Sequence, residues 1–435
     1  MSSIALSPVK SQWLSATRLI FCLFILSIPW VKTELLQRLG LAEVLFGAFL
    51  FFLFLQMSTG QLKLYKSRLP SKDVFILFGL WLVALLLSGF GSTHVSQYLF
   101  ESGGMVYLAI TAIAIALIAA QSEQYFERIF KWARISVVIV VGVGALGMIL
   151  QIVTGHYDPL FYNTARKLIS TFKFPNQLAG FLVLFFPMIW EEAQGSGSWI
   201  RRLFYGALLI ATFVCIVATG SRTGVAALVF CLGIYASIYL VRANFRMLIA
   251  GVIFLASFYF IVLLIDQHFG VINRALSVIN TVTTQGEFTD PFRLMNWGVA
   301  LQLFQKSPFL GYGLGNISVD YQYEIHNAYL SVVAEMGMIG AVAFALLFGY
   351  IIVTGIQNIR LATKLANSHW IAISRGIFIG FLTLLVYSTQ QMMLRSRFLW
   401  LAIGLIIAAH VVLQLKLRYK EDVAKAQLKL AGGET

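Results

Sequence analysis

Three residues of the 435-residue chain have the types and surroundings expected at a reaction site: His326, Arg222 and Arg293. His326 ends a long polar stretch, and near neutral pH histidine is the side chain best able to take a proton from a hydroxyl. Arg222 lies at the junction of two apolar runs, and Arg293 lies in the first turn of a predicted helix. Because a guanidinium donates two parallel hydrogen bonds to a phosphate, these residues predict a site that binds an anion and activates a hydroxyl.

Each of these residues also has a structural interpretation. Arg222 could end a tight turn with its side chain reaching the lipid headgroups, and His326 could be a structural histidine near a membrane interface. Arg293 could be an ordinary first-turn arginine, although a cation fits the positive end of a helix better when an anion shares the site. Asp320 and Glu324 are possible substitutes for His326 as base.

Further ionisable residues extend this set. Glu335 lies near or within a predicted membrane helix, where an ionisable residue indicates function and a partner should be named. Arg395 and Arg397 are the candidate partners, and a solvated helix start is the alternative interpretation of Glu335. Arg166 and Lys167, in a second polar segment, are weaker candidates for anion binding.

The composition places these residues in a membrane protein. The chain is 59% hydrophobic and 11% charged, whereas a soluble domain has about 25% charged residues. Soluble multidomain enzymes, disordered chains and secreted disulfide scaffolds are therefore excluded. The three cysteines, Cys22, Cys215 and Cys231, lie inside apolar runs, which makes a disulfide framework or a cysteine-based zinc site implausible.

Apolar runs long enough to cross a bilayer predict twelve spans. They are 15–31, 41–57, 74–90, 105–120, 135–154, 178–190, 203–219, 225–241, 247–265, 333–355, 371–388 and 397–414. If both termini are cytoplasmic, inner segments hold 21 of the 32 basic residues, as the positive-inside rule requires. The net charge of +14 is thus mostly a topology signal, and no soluble basic face suggests nucleic-acid binding.

The predicted fold is an all-α polytopic membrane protein with about twelve transmembrane helices and one long periplasmic loop that contains short surface helices. Spans one to nine occupy 1–265, the loop with the candidate catalytic residues occupies 266–327, spans ten to twelve occupy 328–414, and 415–435 is a basic cytoplasmic tail.

One helix is predicted within the long loop, from Asp290-Pro291 to Ser307-Pro308. Its apolar stripe of Phe292, Met295, Val299 and Leu303 suggests a helix lying at the membrane surface. Gly311, Gly313 and Gly315 predict a flexible turn after it, and Asn327 opens the helix that enters the tenth span.

Motifs for cofactors are absent or contradicted by context. Gly142, Gly144 and Gly147 match a dinucleotide fingerprint, but an unbroken apolar run surrounds them, so they are interpreted as helix-packing glycines. The chain has no phosphate-binding loop motif and no HExxH or His/Cys cluster in the outer segments. No cofactor and no metal is therefore predicted, and carboxylates converging in the fold are the remaining route to a metal site.

Several short motifs together resemble the O-antigen ligase/polymerase superfamily of bacterial polysaccharide-assembly membrane proteins. The motifs are Phe174–Ala179, Gly220-Ser221-Arg222, Arg293, Ser307–Asn316, His326–Leu330 and Glu335–Gly340. Their order and spacing cover about residues 170–345. The His-Asn-x-Tyr-Leu and Glu-x-Gly-x-x-Gly pairing is specific for the superfamily and does not select one member.

The resemblance implies glycan transfer from undecaprenyl diphosphate at the periplasmic face of the inner membrane. A ligase passes the glycan to a lipid A-core hydroxyl, a polymerase to another carrier-linked repeat unit, and some relatives to protein. Under this interpretation His326 is the base, and Arg222 and Arg293 hold the diphosphate, without metal or nucleotide. Substrate-binding residues are then Arg166, Lys167, Asn327, Glu335 and Arg395. A transporter or flippase for a lipid-linked glycan is the alternative from another class.

Overall fold

The computed structural model describes residues 15–31, 34–36, 39–60, 64–195, 197–241, 291–322 and 324–431. The helices of these residues are α1 (Ser15–Ser27), α2 (Leu41–Ser58), α3 (Lys72–Ser88), α4 (Val95–Ala119), α5 (Glu123–Thr154), α6 (Pro175–Gly195), α7 (Trp199–Ala218), α8 (Arg222–Val241), α9 (Pro291–Lys306), α10 (Asn316–Asp320), α11 (Ala328–Lys364), α12 (Ser368–Tyr387) and α13 (Arg397–Ala431). Short 3-10 turns lie at Lys66–Arg68 and Gly89–Gly91, and a small hairpin pairs β1 (Glu34–Leu36) with β2 (Leu39–Gly40).

The described residues confirm an all-α polytopic membrane protein. Nine of their helices are long and apolar enough to cross a membrane, and α1 adds a shorter apolar helix. The predicted ninth span, 247–265, lies outside the described residues, so the count of twelve stays a prediction. The predicted sixth span, 178–190, lies within α6, which contains Pro187 and extends it at both ends.

Helix α6 lies at the centre of the bundle together with α12 and α13. Every residue from Leu178 to Trp190 is buried, as expected for a helix that is apolar on all sides. Two glycines of α12 allow close packing, because a Cβ at Gly380 would lie 2.1 Å from the Leu184 carbonyl oxygen and one at Gly376 would lie 3.1 Å from Cα of Met188.

Several helices are longer than the predicted spans, among them α5 and α13. Helix α5 begins at Glu123, twelve residues before the apolar run, because Ser122 caps it by accepting a hydrogen bond from the Tyr125 amide. Helix α13 continues through the predicted tail to Ala431. The glycines of the fingerprint lie inside α5. Gly144 packs against Cys215 and Gly147 against Phe161, as a packing role predicts, whereas a Cβ at Gly142 would have no atom within 4 Å.

The connecting segments form two groups at opposite ends of the helices. We call one group the motif end; it comprises residues 28–31, 89–94, 155–174, 219–221, 307–322, 324–327 and 388–396. Backbone hydrogen bonds join these segments, for example Val31 to Thr171 and Leu168 to Ala218. The other group, the opposite end, comprises 64–71, 120–122, 197–198 and 365–367, joined by contacts such as that of Tyr65 with Gln121. All the motif segments are therefore brought to one end.

Candidate functional site at the motif end

His326 lies directly before α11 and has a left-handed backbone. Its φ is 52°, a conformation that costs energy for a residue with a Cβ and that clusters at functional sites. The position is fixed on its C-terminal side, where the Asn327 side chain caps α11 by accepting from the amides of Tyr329 and Leu330. The Ala328 amide also donates to the Ser388 carbonyl at 2.9 Å. The half-buried His326 is thus held in place by the ends of two helices.

The side-chain oxygen of Asn327 accepts the two cap hydrogen bonds, and the residue is buried. These contacts position His326, and the role of Asn327 in substrate binding stays a prediction. Sequence reasoning had identified Asn327 as a helix start, and the capping geometry matches that part of the prediction.

Arg222 is the first residue of α8 and is exposed. The preceding Ser221 is buried, and its hydroxyl lies 3.1 Å from the hydroxyl of Tyr387. Tyr387 also donates to the Asn176 carbonyl at 2.9 Å. Three motif segments therefore meet at the end of α12. Tyr387 contacts the Ser221–Arg222 turn and the Phe174–Ala179 segment, and the Ser388 carbonyl accepts from the amide of Ala328 at the start of α11. Neither Tyr387 nor Ser388 was selected from the sequence, because each lies at the edge of an ordinary apolar run.

Arg166 and Lys167 lie in the segment between α5 and α6, beside the turn that leads to Arg222. Lys167 lies across Gly220, where an added Cβ would be 3.4 Å from the lysine Cε. Arg166 is exposed, with a left-handed φ of 56° and its guanidinium 5.4 Å from the centre of the Tyr157 ring. In the part of the chain that the structure describes, no carboxylate pairs with Arg166, Lys167 or Arg222.

Helix α9 carries Arg293 and has the bounds predicted from its proline residues, Pro291 to Lys306. Within the predicted apolar stripe, Leu303 is buried and Met295 is 54% exposed, and the contact of the stripe with a membrane surface stays a prediction. The face that packs against the protein is Asn296, Ala300 and Leu303. This face packs against α10, Ile325 and the start of α11, because the bundle offers an apolar surface there that sequence periodicity does not reveal. Helix α9 therefore supports the residue that precedes His326.

The glycines of the 307–315 segment lie in the predicted turn and also allow close backbone packing. Gly311 and Gly313 have left-handed φ angles of 76° and 89°, and the Gly313 amide donates to the Glu335 carbonyl at 3.0 Å. A Cβ at Gly311 would lie 2.4 Å from the backbone of Glu335. The helix itself breaks at Gly337, where φ is 62° and ψ is −163°, which frees backbone groups to bind this segment.

Glu335 is buried within these contacts. Its carboxylate accepts from the Ser331 hydroxyl at 2.9 Å and from the Gly315 amide at 3.2 Å. Nη2 of Arg395 lies 3.7 Å from the same carboxylate, and Nε of Arg395 lies 3.3 Å from Glu101. Arg395 is thus the partner predicted for Glu335. Burial acts to lower the pKa of Arg395, but the two carboxylates outweigh it and raise that pKa.

Arg397, the other predicted partner, pairs with a different carboxylate. Its Nε donates to Glu43 at 2.6 Å, and Glu43 also caps the start of α2 through the Gly40 amide. The pairing of Arg397 across the bundle was not visible in the sequence, because the two residues are 354 positions apart.

A third charged pair closes the motif end on the α4 side. His94 lies 2.7 Å from Asp320, which also accepts from the Tyr312 hydroxyl at 2.8 Å. The hydrogen bond with His94 holds the pKa of Asp320 below its ordinary value, and the hydrogen bond to Asp320 raises the pKa of Tyr312. A carboxylate with a lowered pKa is a weak base, so Asp320 is a poor substitute for His326.

A cavity of about 570 Å³ opens beside these pairs. It lies between α1, α2, α4, the 172–177 segment and the 392–398 segment, and its wall contains both Glu43–Arg397 and Glu101–Arg395. Gln177, from the Phe174–Ala179 motif, borders it. The cavity therefore adjoins the segments that hold His326 and Ser221 in place.

No group of three or more His, Cys, Asp and Glu side chains is placed to hold a metal ion within the described ranges. Comparison with known proteins gives one family match. Residues 207–345, about a third of the chain, match a protein family described as O-antigen ligase. This match supports membership of the O-antigen ligase/polymerase superfamily. No curated protein matches the chain.

The family match includes the Ser221–Arg222 turn, α9, the 307–315 segment and the break at Gly337. Within this matched region, glycine is required at Gly311 and Gly337 because the backbone of another segment approaches closely there. The Phe174–Ala179 segment and the arginines after α12 lie outside the matched residues, yet they contact it through Tyr387 and Glu335. The candidate site is thus larger than the region that the family defines.

Proposed function

We propose that the protein is an O-antigen ligase that transfers a glycan from undecaprenyl diphosphate to a hydroxyl of a lipid A-core oligosaccharide at the periplasmic face of the inner membrane. The observation that carries the proposal is the meeting of three motif segments at Tyr387 and Ser388, which places the Arg222 turn and the His326 segment at one end of the bundle. The family supports the reaction class.

In the proposed reaction the diphosphate binds the cations that have no carboxylate partner in the described structure. These are Arg222, Lys167 and Arg166. Arg293 of α9 is proposed as a further diphosphate ligand from the sequence motif alone. Cations placed around a leaving diphosphate stabilise the negative charge that develops on it. Arg395 is left out of this set, because Glu335 and Glu101 already compensate its charge.

His326 acts as the base for the acceptor hydroxyl. It takes the hydroxyl proton while the oxygen attacks the anomeric carbon and the bond from that carbon to the diphosphate breaks. A single displacement inverts the configuration at the anomeric carbon. The fixed backbone at His326 supports this role, since a base must be held within hydrogen-bond reach of the proton that it takes.

The test uses purified protein in liposomes with a labelled glycan on undecaprenyl diphosphate and lipid A-core as acceptor. The wild type should form labelled lipopolysaccharide, and His326→Ala should lower the rate by about 10²- to 10⁴-fold. His369→Ala, at the other end of the bundle beside Glu127, is the matched control and should keep the wild-type rate. Full activity of His326→Ala would remove the base assignment.

The same assay separates the alternatives. Products that grow only on the carrier would indicate a repeat-unit polymerase, and movement of the labelled carrier without a new covalent product would indicate a flippase. One observation favours the flippase alternative, because a transporter is expected to have ionisable residues within its membrane helices. Glu191 of α6 and Arg375 of α12 form a buried ion pair with two contacts of 2.5 Å. Glu191 lies one residue beyond the predicted sixth span, 178–190, and is not among the residues selected from the sequence.

A further inference from the structure

A second cavity, of about 300 Å³, lies between α5, α6 and α7 near the opposite end of the bundle; we call it the α5–α7 cavity. Its lining divides into two parts. Lys131 and Arg134 of α5 and Glu192 of α6 form a charged part, and the remaining lining is apolar apart from Tyr205. This volume is at the lower end of the range for ligand pockets, so the cavity suits part of a long molecule.

The charged part lies where the three helices change from polar to apolar sequence. Lys131 and Arg134 directly precede the apolar run of α5, which starts at residue 135, and Glu192 follows that of α6, which ends at residue 190. The run of α7 starts at residue 203, shortly after Trp199, which is 72% exposed. Because tryptophan is enriched at the membrane–water interface, these charges lie at the level of the lipid headgroups.

The charged part carries a net positive charge. Arg134 pairs through Nη1 with Glu192, and its guanidinium lies 5.0 Å from the centre of the Phe130 ring. Lys131 is exposed, and none of the described carboxylates pairs with it. One cation is therefore left over beside a compensated pair. A basic pocket between transmembrane helices favours an anionic lipid headgroup.

The apolar part connects these charges with the lipid-facing surface of the bundle. Its rim contains Val138 and Phe204, which are 36% and 50% exposed. Its inner wall contains Phe185 and Met188 of α6 and Leu208 of α7, which are buried. An apolar surface that opens sideways into a bilayer is covered by hydrocarbon, because the bilayer core holds no water. The apolar part therefore suits an acyl chain.

We infer that the α5–α7 cavity binds one anionic phospholipid, with its phosphate at Lys131 and Arg134 and one acyl chain against α6. Charge complementarity selects the headgroup, and the apolar part selects a lipid over free phosphate. Because α6 lies at the centre of the bundle, a lipid that binds only the folded state should stabilise the protein. This binding is independent of the transfer proposed at the motif end, since the two sites lie at opposite ends of the helices.

The experiment measures lipid binding to the full chain in detergent micelles by native mass spectrometry, with thermal unfolding of the same samples. Dioleoyl phosphatidylglycerol is the anionic probe, and dioleoyl phosphatidylcholine has the same chains on a zwitterionic headgroup. The wild type should bind phosphatidylglycerol more tightly and be stabilised by it more strongly. Lys131→Gln should weaken phosphatidylglycerol binding about fivefold, as expected for one basic residue at an anionic headgroup, and leave phosphatidylcholine binding unchanged.

Two variants control for charge and for folding. Lys131→Arg keeps the cation and should bind phosphatidylglycerol as the wild type does. Arg360→Gln removes an exposed cation of α11 that lies near the same end and does not line the cavity, so it should also keep wild-type binding. Inorganic phosphate should not displace the lipid, because it lacks the acyl chain.

Equal phosphatidylglycerol binding by the wild type and Lys131→Gln would overturn the inference and leave Lys131 as a topology signal. An equal loss of binding in Arg360→Gln would also overturn it, because net charge would then determine binding without the cavity. Displacement of the lipid by inorganic phosphate would contradict the lipid assignment, since the site would then bind phosphate without a chain.

Discussion

The hydroxyl of Ser221 lies 3.1 Å from the hydroxyl of Tyr387, and this contact ties the turn before Arg222 to the end of α12. Because Ser388, the next residue, binds the amide of Ala328, the end of α12 is held both to that turn and to the start of α11. Tyr387 is therefore a positioning residue. It holds the proposed diphosphate-binding turn in a fixed place relative to the helix start that carries the proposed base.

Replacing Tyr387 by Phe tests this role. The change removes the hydrogen bonds to Ser221 and Asn176 and leaves the ring in place, so we expect about 1–3 kcal/mol of stability to be lost and kcat to fall more than KM rises. The measurement is glycan transfer at varied donor concentration, with thermal unfolding of the same preparations. Tyr350→Phe, which loses a contact with Ser71 at the opposite end, should leave kcat unchanged. Equal losses of kcat in both variants would contradict the positioning role.

The second prediction concerns the planar geometry of Arg222. Arg222→Lys keeps the charge and loses the paired hydrogen bonds, so transfer should fall by about 10- to 100-fold if those bonds form to the diphosphate. Exposed Arg201, at the opposite end, provides the control as Arg201→Lys and should retain the wild-type rate. A normal rate in Arg222→Lys would mean that the diphosphate binds other residues.

The sequence was sufficient where a local signal decides the structure. Pro291 and Ser307-Pro308 set the bounds of α9, and Asn327 set the start of α11, because capping and proline geometry act within one turn. The pairs Arg397–Glu43 and Arg395–Glu101 could not be predicted, since each joins residues that only the packed bundle brings together.

The glycines show the same limit. Gly311 and Gly313 lie in the predicted turn, but residue type alone does not reveal that they allow the backbone of this segment to touch that of α11. The helical spacing in α9 selects Met295 and Leu303 as one apolar stripe, yet α9 packs against the protein through Asn296, Ala300 and Leu303 while Met295 is exposed. Periodicity identifies a helix more reliably than it identifies which face meets a neighbour.

The third prediction uses the left-handed backbone of His326. Glycine adopts a φ of 52° without strain, so His326→Gly should be more stable than His326→Ala by about 1 kcal/mol, while both lose transfer. Thermal unfolding and a single-turnover assay measure the two effects. Ala366→Gly, at a φ of 54° at the opposite end, should be stabilised in the same way and remain active. Transfer by His326→Gly at the wild-type rate would refute the catalytic assignment.

The fourth prediction concerns the buried pair of Glu191 and Arg375. Removing one partner leaves an uncompensated buried charge, so Glu191→Gln or Arg375→Gln alone should cost about 3–5 kcal/mol of stability. The double variant should recover most of this loss, and thermal unfolding of all four proteins gives the coupling. Because the pair lies at the other end from the motifs, the folded double variant should keep its transfer rate. Loss of carrier movement in that variant, with no transfer by the wild type, would favour the flippase alternative.

The last prediction concerns the break in α11 at Gly337. A Cβ there would lie 2.3 Å from the Phe309 carbonyl oxygen, and the φ of 62° with ψ of −163° is open to glycine almost alone. Gly337→Ala should therefore displace the 307–315 segment, destabilise the protein by about 1–3 kcal/mol and abolish transfer. Gly349→Ala, in the same helix with no atom within 4 Å of its Cβ, should instead gain about 0.5–1 kcal/mol and stay active. Thermal unfolding and the transfer assay are measured on both variants. If Gly337→Ala loses stability and still transfers glycan, the break serves only helix packing and the prediction is wrong.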